Sequence, residues 1–373
     1  MCKVAVLFGG RSCENEISVL TGVFVMKLLD REKYTPIPVY VHTDGGMYTS
    51  PKMFDLNVFR EKKYDIFERV FFEGNTLYAL RAERKKIKKI ARIDVALNCC
   101  HGGLGEGGGV SALMEWNGIP FASPDIASSA VFMDKSLTKL IADALSVPTV
   151  DYIRANERDY EKRGAFLLKR IETRLKYPVV IKPAHLGSSI GITVAKDEEE
   201  VKRGLETAFS LDDRVIIEKF LFDKQDVNCA AYLLHGEIVV SEPEAAFGEG
   251  FYSFEEKYVK RSSDGENGVK SGGRSALNEE LREKIRSYTK TLYKRMDMKG
   301  VVRMDYLVSG KEVYLCEVNT VPGSLAYYLF CERIIDAKRF FSDLLEEALR
   351  KSAQQKKEIL STGILRTVQW NTK

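Results

Sequence analysis

The sequence predicts an α/β domain built on a parallel sheet, followed by two smaller α+β units. Three observations lead there: a length of 373 residues, beyond one ordinary domain; a strand–loop–helix pattern in the first third; and strand–loop–strand–helix stretches after it. Hydrophobic content of 45% with 29% charged residues and only 10 prolines describes a globular chain with a sizeable core. No run is apolar over the roughly 18 positions a spanning helix needs, and the start breaks into Gly9-Gly10 too soon for a signal peptide. The expected address is the cytoplasm. Lys+Arg 57 against Asp+Glu 53 leaves +4, so neither nucleic acid nor a membrane is an expected partner. The seven cysteines are scattered and form no CxxC pair, which reads as reduced thiols rather than a disulfide framework or structural zinc.

In chain order, residues 3–8 read as an apolar strand, 9–13 as a tight turn and 17–29 as a helix starting near Ser12 or Asn15. Residues 36–42 supply a second strand, 71–80 a hairpin around Glu73-Gly74-Asn75, and 85–89 a solvated basic run. Strand 93–98 runs into His101-Gly102-Gly103 and a helical stretch through Ala112, Leu113 and Trp116. Ser123-Pro124 predicts a helix start and closes the first domain at 1–122. A second unit, 123–213, contains a helix at 137–145, strands at 177–182 and 190–195 around Gly187-Ser188-Ser189, and a helix from the acidic run 197–200 to Phe209. The third, 214–373, opens with strand 215–220. It carries a long irregular stretch at 247–273, an amphipathic helix at 278–298 and a closing strand pair, 301–308 and 313–319.

That strand pair carries most of the chemistry. Alternation puts Arg303 and Asp305 on one face of its first strand and Glu317 and Asn319 on one face of its second, with Val302, Met304, Tyr306, Tyr314, Cys316 and Val318 opposite. Charged groups buried there would need compensation. A hard cation such as Mg²⁺, which takes oxygen ligands and holds substrate phosphates, fits Asp305, Glu317 and Asn319; a solvated face with an Arg303–Asp305 surface pair fits equally. The loop from Lys182 to Gly191 is either an anion cradle with a lysine at its base or an ordinary Gly-Ser hairpin. Because it joins two strands, it is not a Walker loop. Lys135 is either a phosphate ligand or solvent-exposed, and Glu14 either lines an amine site or complements a helix dipole. The glycines after His101 suit close backbone approach to a ligand, or a mobile loop. The first loop lacks the GxGxxG fingerprint, no GxSxG nucleophile is present, and His185 and His235 read as structural.

Together these pieces resemble the D-alanine–D-alanine ligases of the ATP-grasp superfamily. The likeness runs through KVAVLFGGRSCENEIS at 3–18, HGGLGEGGG at 101–109, MDKSLTK at 133–139, VIKPAHLGSSIGI at 180–192, FYSFEEKY at 251–258, VVRMDY at 301–306 and EVNTVPG at 317–323. It implies an ATP-grasp fold preceded by a Rossmann-like parallel-sheet domain. ATP would lie between the second and third units, its phosphates toward Lys135, Lys182, Ser188 and Ser189, its adenine at Glu218, Lys219 and Leu221, and its ribose at Asp226. Two Mg²⁺ ions, with Mn²⁺ as a substitute, would be held by Asp305, Glu317 and Asn319. ATP then phosphorylates the carboxylate of one D-alanine, and the amine of a second attacks the acyl phosphate.

By the same resemblance, Arg303 and the backbone N–H of Gly323 hold the oxyanion, Lys257 reaches the transferred phosphate, and His101, Ser324 and Leu325 bind substrate. Glu14 takes the first ammonium and, with Ser188 and Tyr258, orders the loop. Residues 247–273 would form a lid that keeps water from the acyl phosphate, and the assembly would be a homodimer. The chain departs from the family pattern where Gly107, not Asp, follows Glu106, and where Ser324-Leu325 comes directly after Gly323. The alternatives are a ligase with D-serine, D-lactate or another amino acid as acceptor, and a nucleotide-binding protein without ligase activity. Tyr258 favours an amino acid over D-lactate, and an oxyanion arginine argues against mere nucleotide binding.

Overall fold

The computed structural model describes residues 1–81, 86–245, 277–354 and 362–363. The expected lid at 247–273, with Lys257 and Tyr258, lies outside the described residues.

The first domain is a seven-stranded sheet of β1 (Cys2–Gly9), β2 (Tyr34–Val41), β3 (Met47–Thr49), β4 (Glu68–Glu73), β5 (Thr76–Arg81), β6 (Lys86–Arg92) and β7 (Val95–Asn98), ordered β6-β5-β4-β3-β2-β1-β7. Only β2-β1-β7 is parallel; β3 to β6 extend it as an antiparallel meander. The sheet is thus mixed where a parallel one was expected. Strand β1 is covered on both faces, with Val4 to Phe8 fully buried, so it needs an unbroken apolar run. Of the basic run, residues 86–89 belong to edge strand β6, where exposed Lys86, Lys88 and Lys89 discourage pairing with another chain. Helices α1 (Asn15–Leu28), α2 (Asn57–Arg60) and α3 (Val110–Trp116) complete the domain.

Two further helices, α4 (Ile126–Met133) and α5 (Lys135–Ala144), follow. Helix α4 starts later than Ser123-Pro124 indicates, because the Asp125 carboxylate accepts from the Ser128 amide at 2.9 Å and so sets the cap. Asp134 caps α5 in the same way, accepting from Ser136 N at 2.7 Å and Leu137 N at 3.2 Å. The central sheet is antiparallel, ordered β10-β9-β11-β8 from β8 (Tyr152–Asn156), β9 (Val179–Pro183), β10 (Thr193–Ala195) and β11 (Arg214–Lys219). Helices α6 (Glu157–Arg170) and α7 (Glu198–Phe209) cover it. Asp197 caps α7, and Glu198, Glu199 and Glu200 face its positive end.

The third sheet is ordered β13-β12-β15-β16 from β12 (Gln225–Leu234), β13 (Glu237–Val240), β15 (Val302–Ser309) and β16 (Glu312–Asn319), with β14 (Glu244–Ala245) also on β12. Helix α8 (Glu279–Arg295), capped by Asn278, packs on one face. Helix α9 (Ala337–Gln354) joins the core shared with α1 through Phe340, Phe341, Leu344 and Leu345.

Two boundaries move. Strand β11 pairs with β8 and β9, so the central unit runs to Lys219 and does not end at 213. Phe132, Ala142 and Val147 pack in the core of the third sheet, so the helices at 126–144 lie under the third unit although they precede the second. The alternation in β16 is also broken. Asp305 pairs with Glu317 but Tyr306 with Leu315, which leaves Cys316 as a bulge. The core side of β16 is therefore Val313, Leu315 and Val318, and half-buried Cys316 turns to the face of Glu317 instead of away from it.

Candidate active site

Loops of the first and central sheets meet at Glu14. The carboxylate is buried at the start of α1 and accepts from the Ser188 hydroxyl, a contact across 174 residues of chain. Glycines approach it closely. A Cβ on Gly102, at φ +67, would stand 2.5 Å from Glu14 Oε2, and one on Gly187 would stand 2.9 Å away. Ser188 and Ser189 are both left-handed, at φ 53 and 59, and this reverses the chain between β9 and β10. Ser12 Oγ donates to the His101 carbonyl at 2.7 Å and ties the first loop to the one after β7.

The lysines form a second group. Lys182 Nζ lies 2.6 Å and Lys139 Nζ 2.8 Å from the two oxygens of Glu218, with every side chain at most 9% exposed. Burial opposes the Glu218 charge, but the two ammonium groups prevail and hold its carboxyl down at about 2. Lys135 Nζ donates to the Leu186 carbonyl at 2.5 Å and lies 3.7 Å from Glu317 Oε2, so it spans from the serine loop to β16. Cys316 Sγ is 3.8 Å from Lys182 Nζ, and burial pushes its thiol up to about 11. His185 has partners that its sequence context did not reveal. Its Nδ1 lies 2.9 Å from Asp212 and its Nε2 3.5 Å from Asp134, which also pairs with Arg214 at 2.9 Å. Contacts with Asp134 and Asp212 hold the imidazole up at about 9, and the network anchors the base of the serine loop to α5 and β11.

The third group lies on β15 and β16. Arg303 makes a two-pronged contact with Asp305, Nε to Oδ1 at 2.7 Å and Nη2 to Oδ2 at 2.8 Å, and Asn319 Nδ2 donates to Asp305 Oδ2 at 3.1 Å. Asp305 and Glu317 are direct cross-strand partners. Their like charges are compensated within the protein, Asp305 by Arg303 and Glu317 by Lys135; the oxygen atoms of Asp305, Glu317 and Asn319 are of the kind that Mg²⁺ takes as ligands.

His101 is buried with both nitrogens engaged inside the protein, Nδ1 with the Val321 carbonyl at 2.6 Å and Nε2 with Thr21 Oγ1 at 2.8 Å. Nδ1 is therefore the donor, and burial lowers the imidazole to about 4, keeping it neutral. Glu106 accepts from Gly102 N at 2.8 Å and Val321 N at 3.3 Å, and burial, with Glu14 nearby, pushes it up to about 7. The two residues fasten the segment after β16 to the first domain. Ser324 N donates to Thr21 Oγ1 at 3.1 Å, and Leu325 is buried in the core shared with α1. Gly323 opens that turn. Lys219 is exposed, Leu221 half-buried, and Asp226 pairs with Lys224 at 2.6 Å.

Sequence reasoning did not assign roles to Lys139, Glu106, Thr21 or Tyr328. Lys139 was within reach, one helical turn after Lys135 in the quoted MDKSLTK stretch; Thr21 and Tyr328 carry no local signal. A cavity of about 230 Å³ beside Phe121, Lys299, Leu344 and Lys351 contains none of the motif residues, and the convergent charges, not that cavity, mark the site.

An α/β domain followed by two antiparallel sheets, with buried lysines on one and acid, amide and arginine groups on the other, defines a carboxylate–amine ligase of the ATP-grasp class. Residues 3–124 match the family model described as D-ala D-ala ligase N-terminus, and residues 141–350 match D-ala D-ala ligase C-terminus. The chain is 33% identical over 369 residues to the D-alanine–D-alanine ligase of Thermosipho africanus, covering 97% of each. The solved D-alanine–D-alanine ligase of Helicobacter pylori superposes with a TM-score of 0.74 at 26% identity, covering 94% of this chain and 98% of that one. VanG D-Ala:D-Ser ligase from Enterococcus faecalis gives 0.73 at 25% identity, covering 94% and 99%. The chain belongs to the D-alanine–D-alanine ligase family. Among the described residues, no helix is long and apolar enough to cross a membrane.

Proposed function

We propose that this enzyme joins two D-alanines while splitting ATP to ADP and phosphate, as a step of peptidoglycan precursor synthesis. The observation that carries this reading is the pairing of Arg303, Asp305, Glu317 and Asn319 on adjacent strands, with Lys135 at the start of α5 reaching both Glu317 and the loop that carries Ser188 and Ser189. One carboxylate oxygen of the first D-alanine attacks the γ-phosphorus of ATP, and ADP leaves. The amine of the second D-alanine then attacks the acyl carbon, and phosphate departs with that oxygen.

The chain's groups fit those needs. Lys135, Lys182 and the Ser188-Ser189 loop neutralise the triphosphate. Glu14 receives the ammonium of the first D-alanine, and Ser188 fixes the carboxylate's orientation. Arg303, with the backbone N–H of Gly323, stabilises the oxyanion that forms as the amine attacks. Glu218, which orders Lys139 and Lys182, supports the nucleotide site from below, with Lys219, Leu221 and Asp226 toward adenine and ribose. His101 acts at one remove, holding the segment that carries Gly323. Two Mg²⁺ ions at Asp305, Glu317 and Asn319 supply charge neutralisation and phosphate orientation when bound. The same reading makes the enzyme a cytoplasmic homodimer, which sedimentation at working concentration tests.

The experiment is phosphate release from ATP with Mg²⁺, first without amino acid, then with D-alanine, then with D-alanine plus D-serine or D-lactate, with products separated. D-alanine-dependent release yielding D-Ala-D-Ala is expected. A mixed product in preference to it would move the enzyme to the D-Ala:D-Ser type represented by VanG, and no stimulation by D-alanine would end the proposal.

A further inference from the structure

The segment after β16 is short and tightly wound. Ser324, Leu325 and Ala326 are left-handed at φ 51, 54 and 51, a conformation that residues with a Cβ rarely adopt in succession. The turn commits the two residues to which the family resemblance gives the acceptor carboxylate. The Ser324 amide is spent on Thr21, and the Leu325 side chain is in the core. Tyr327 follows it inward and packs on Phe24 with ring centroids 5.0 Å apart. Tyr328 turns the other way, and its hydroxyl accepts from Arg303 Nη1 at 3.3 Å.

A guanidinium has five N–H donors, and a phenol both accepts and donates. With Nε and Nη2 on Asp305 and Nη1 on Tyr328, three donors are used by the described residues and two are left over among them. A hydroxyl that accepts from Arg303 must aim its own proton elsewhere. Tyr328 therefore presents a hydroxyl donor beside the guanidinium to which the oxyanion role is given, where the attacking amine must arrive.

Building on the ligase reading, we infer that Tyr328 is a specificity residue of the acceptor side: its hydroxyl donates to the carboxylate of the second amino acid and, through Nη1, holds the guanidinium in place. The tight turn is what brings this aromatic residue to the position.

The test is steady-state kinetics of wild type and Tyr328→Phe at saturating ATP, resolving separate KM values for the two D-alanine sites, with thermal melting as a control for folding. Loss of a hydrogen bond to a charged group is expected to raise the second-site KM by roughly tenfold or more. The first-site and ATP KM values stay within about twofold, and Tyr328→His, which restores a donor, recovers part of the loss. An unchanged second-site KM in active Tyr328→Phe, or a parallel rise in all three constants, overturns the inference while leaving the ligase reading intact. A wild type without D-alanine-dependent turnover overturns both.

Discussion

Lys182 on β9 and Glu218 on β11 meet at 2.6 Å although they are not directly opposed; the ladder pairs Lys182 with Ile216 and Glu218 with Val180. The contact is diagonal, within reach of long side chains on one sheet face. Because Lys139 shares the same carboxylate, Glu218→Ala would leave two buried ammonium groups without their anion. Removing one partner of a buried pair destabilises by about 3–5 kcal/mol, so urea unfolding of Glu218→Ala is expected to show a loss of that order. A loss near zero would mean that the lysines find other anions.

Arg303 separates binding from chemistry. Arg303→Ala is expected to lower kcat by roughly a hundredfold or more, because an oxyanion donor is lost, while nucleotide affinity measured by calorimetry stays nearly intact. Weakened nucleotide binding with unchanged turnover of the bound enzyme would contradict the oxyanion role.

The glycines around Glu14 leave its carboxylate room in the proposed first amino-acid site. Gly187→Ala places a methyl within 2.9 Å of Glu14 Oε2. The carboxylate must shift, so the first-site KM for D-alanine is expected to rise by at least roughly tenfold, since a hydrogen bond to a charged group is disturbed. The ATP KM should change less. Equal KM values in the variant would place the ammonium elsewhere.

Two histidines shape the pH dependence of stability in opposite senses. His185 has a folded pKa of about 9 against an ordinary 6.5, so its contribution is complete below pH 6.5 and is lost as pH rises toward 9. His101 has a folded pKa of about 4 against 6.5, so its contribution is present above pH 6.5 and is lost as pH falls toward 4. Melting temperature followed across pH is expected to lose its alkaline limb in His185→Asn and its acid limb in His101→Gln. Limbs that stay as steep in these variants would assign the dependence to other groups.

Much of this was legible locally. Period-two alternation brought Arg303 with Asp305 and Glu317 with Asn319, and motif spacing located the serine loop. What escaped was long-range or irregular. Glu14 and Ser188 are 174 residues apart, and His185 finds Asp134 only when β9, β11 and the start of α5 converge. Alternation assigned Cys316 to the face opposite Glu317; one unpaired residue in β16 reversed that, since a bulge shifts every later side chain relative to the count. Tyr328 was silent because three consecutive left-handed residues have no signature in Ser-Leu-Ala.

The most direct measurement uses D-alanine labelled with ¹⁸O in its carboxylate, with mass analysis of the phosphate released during turnover. Activation of that carboxylate by the γ-phosphoryl group transfers one labelled oxygen, so phosphate carrying a single ¹⁸O is expected in step with dipeptide formation. Unlabelled phosphate would mean that ATP is cleaved without phosphorylating the acid, contradicting the acyl-phosphate chemistry assigned to Arg303 and its neighbours.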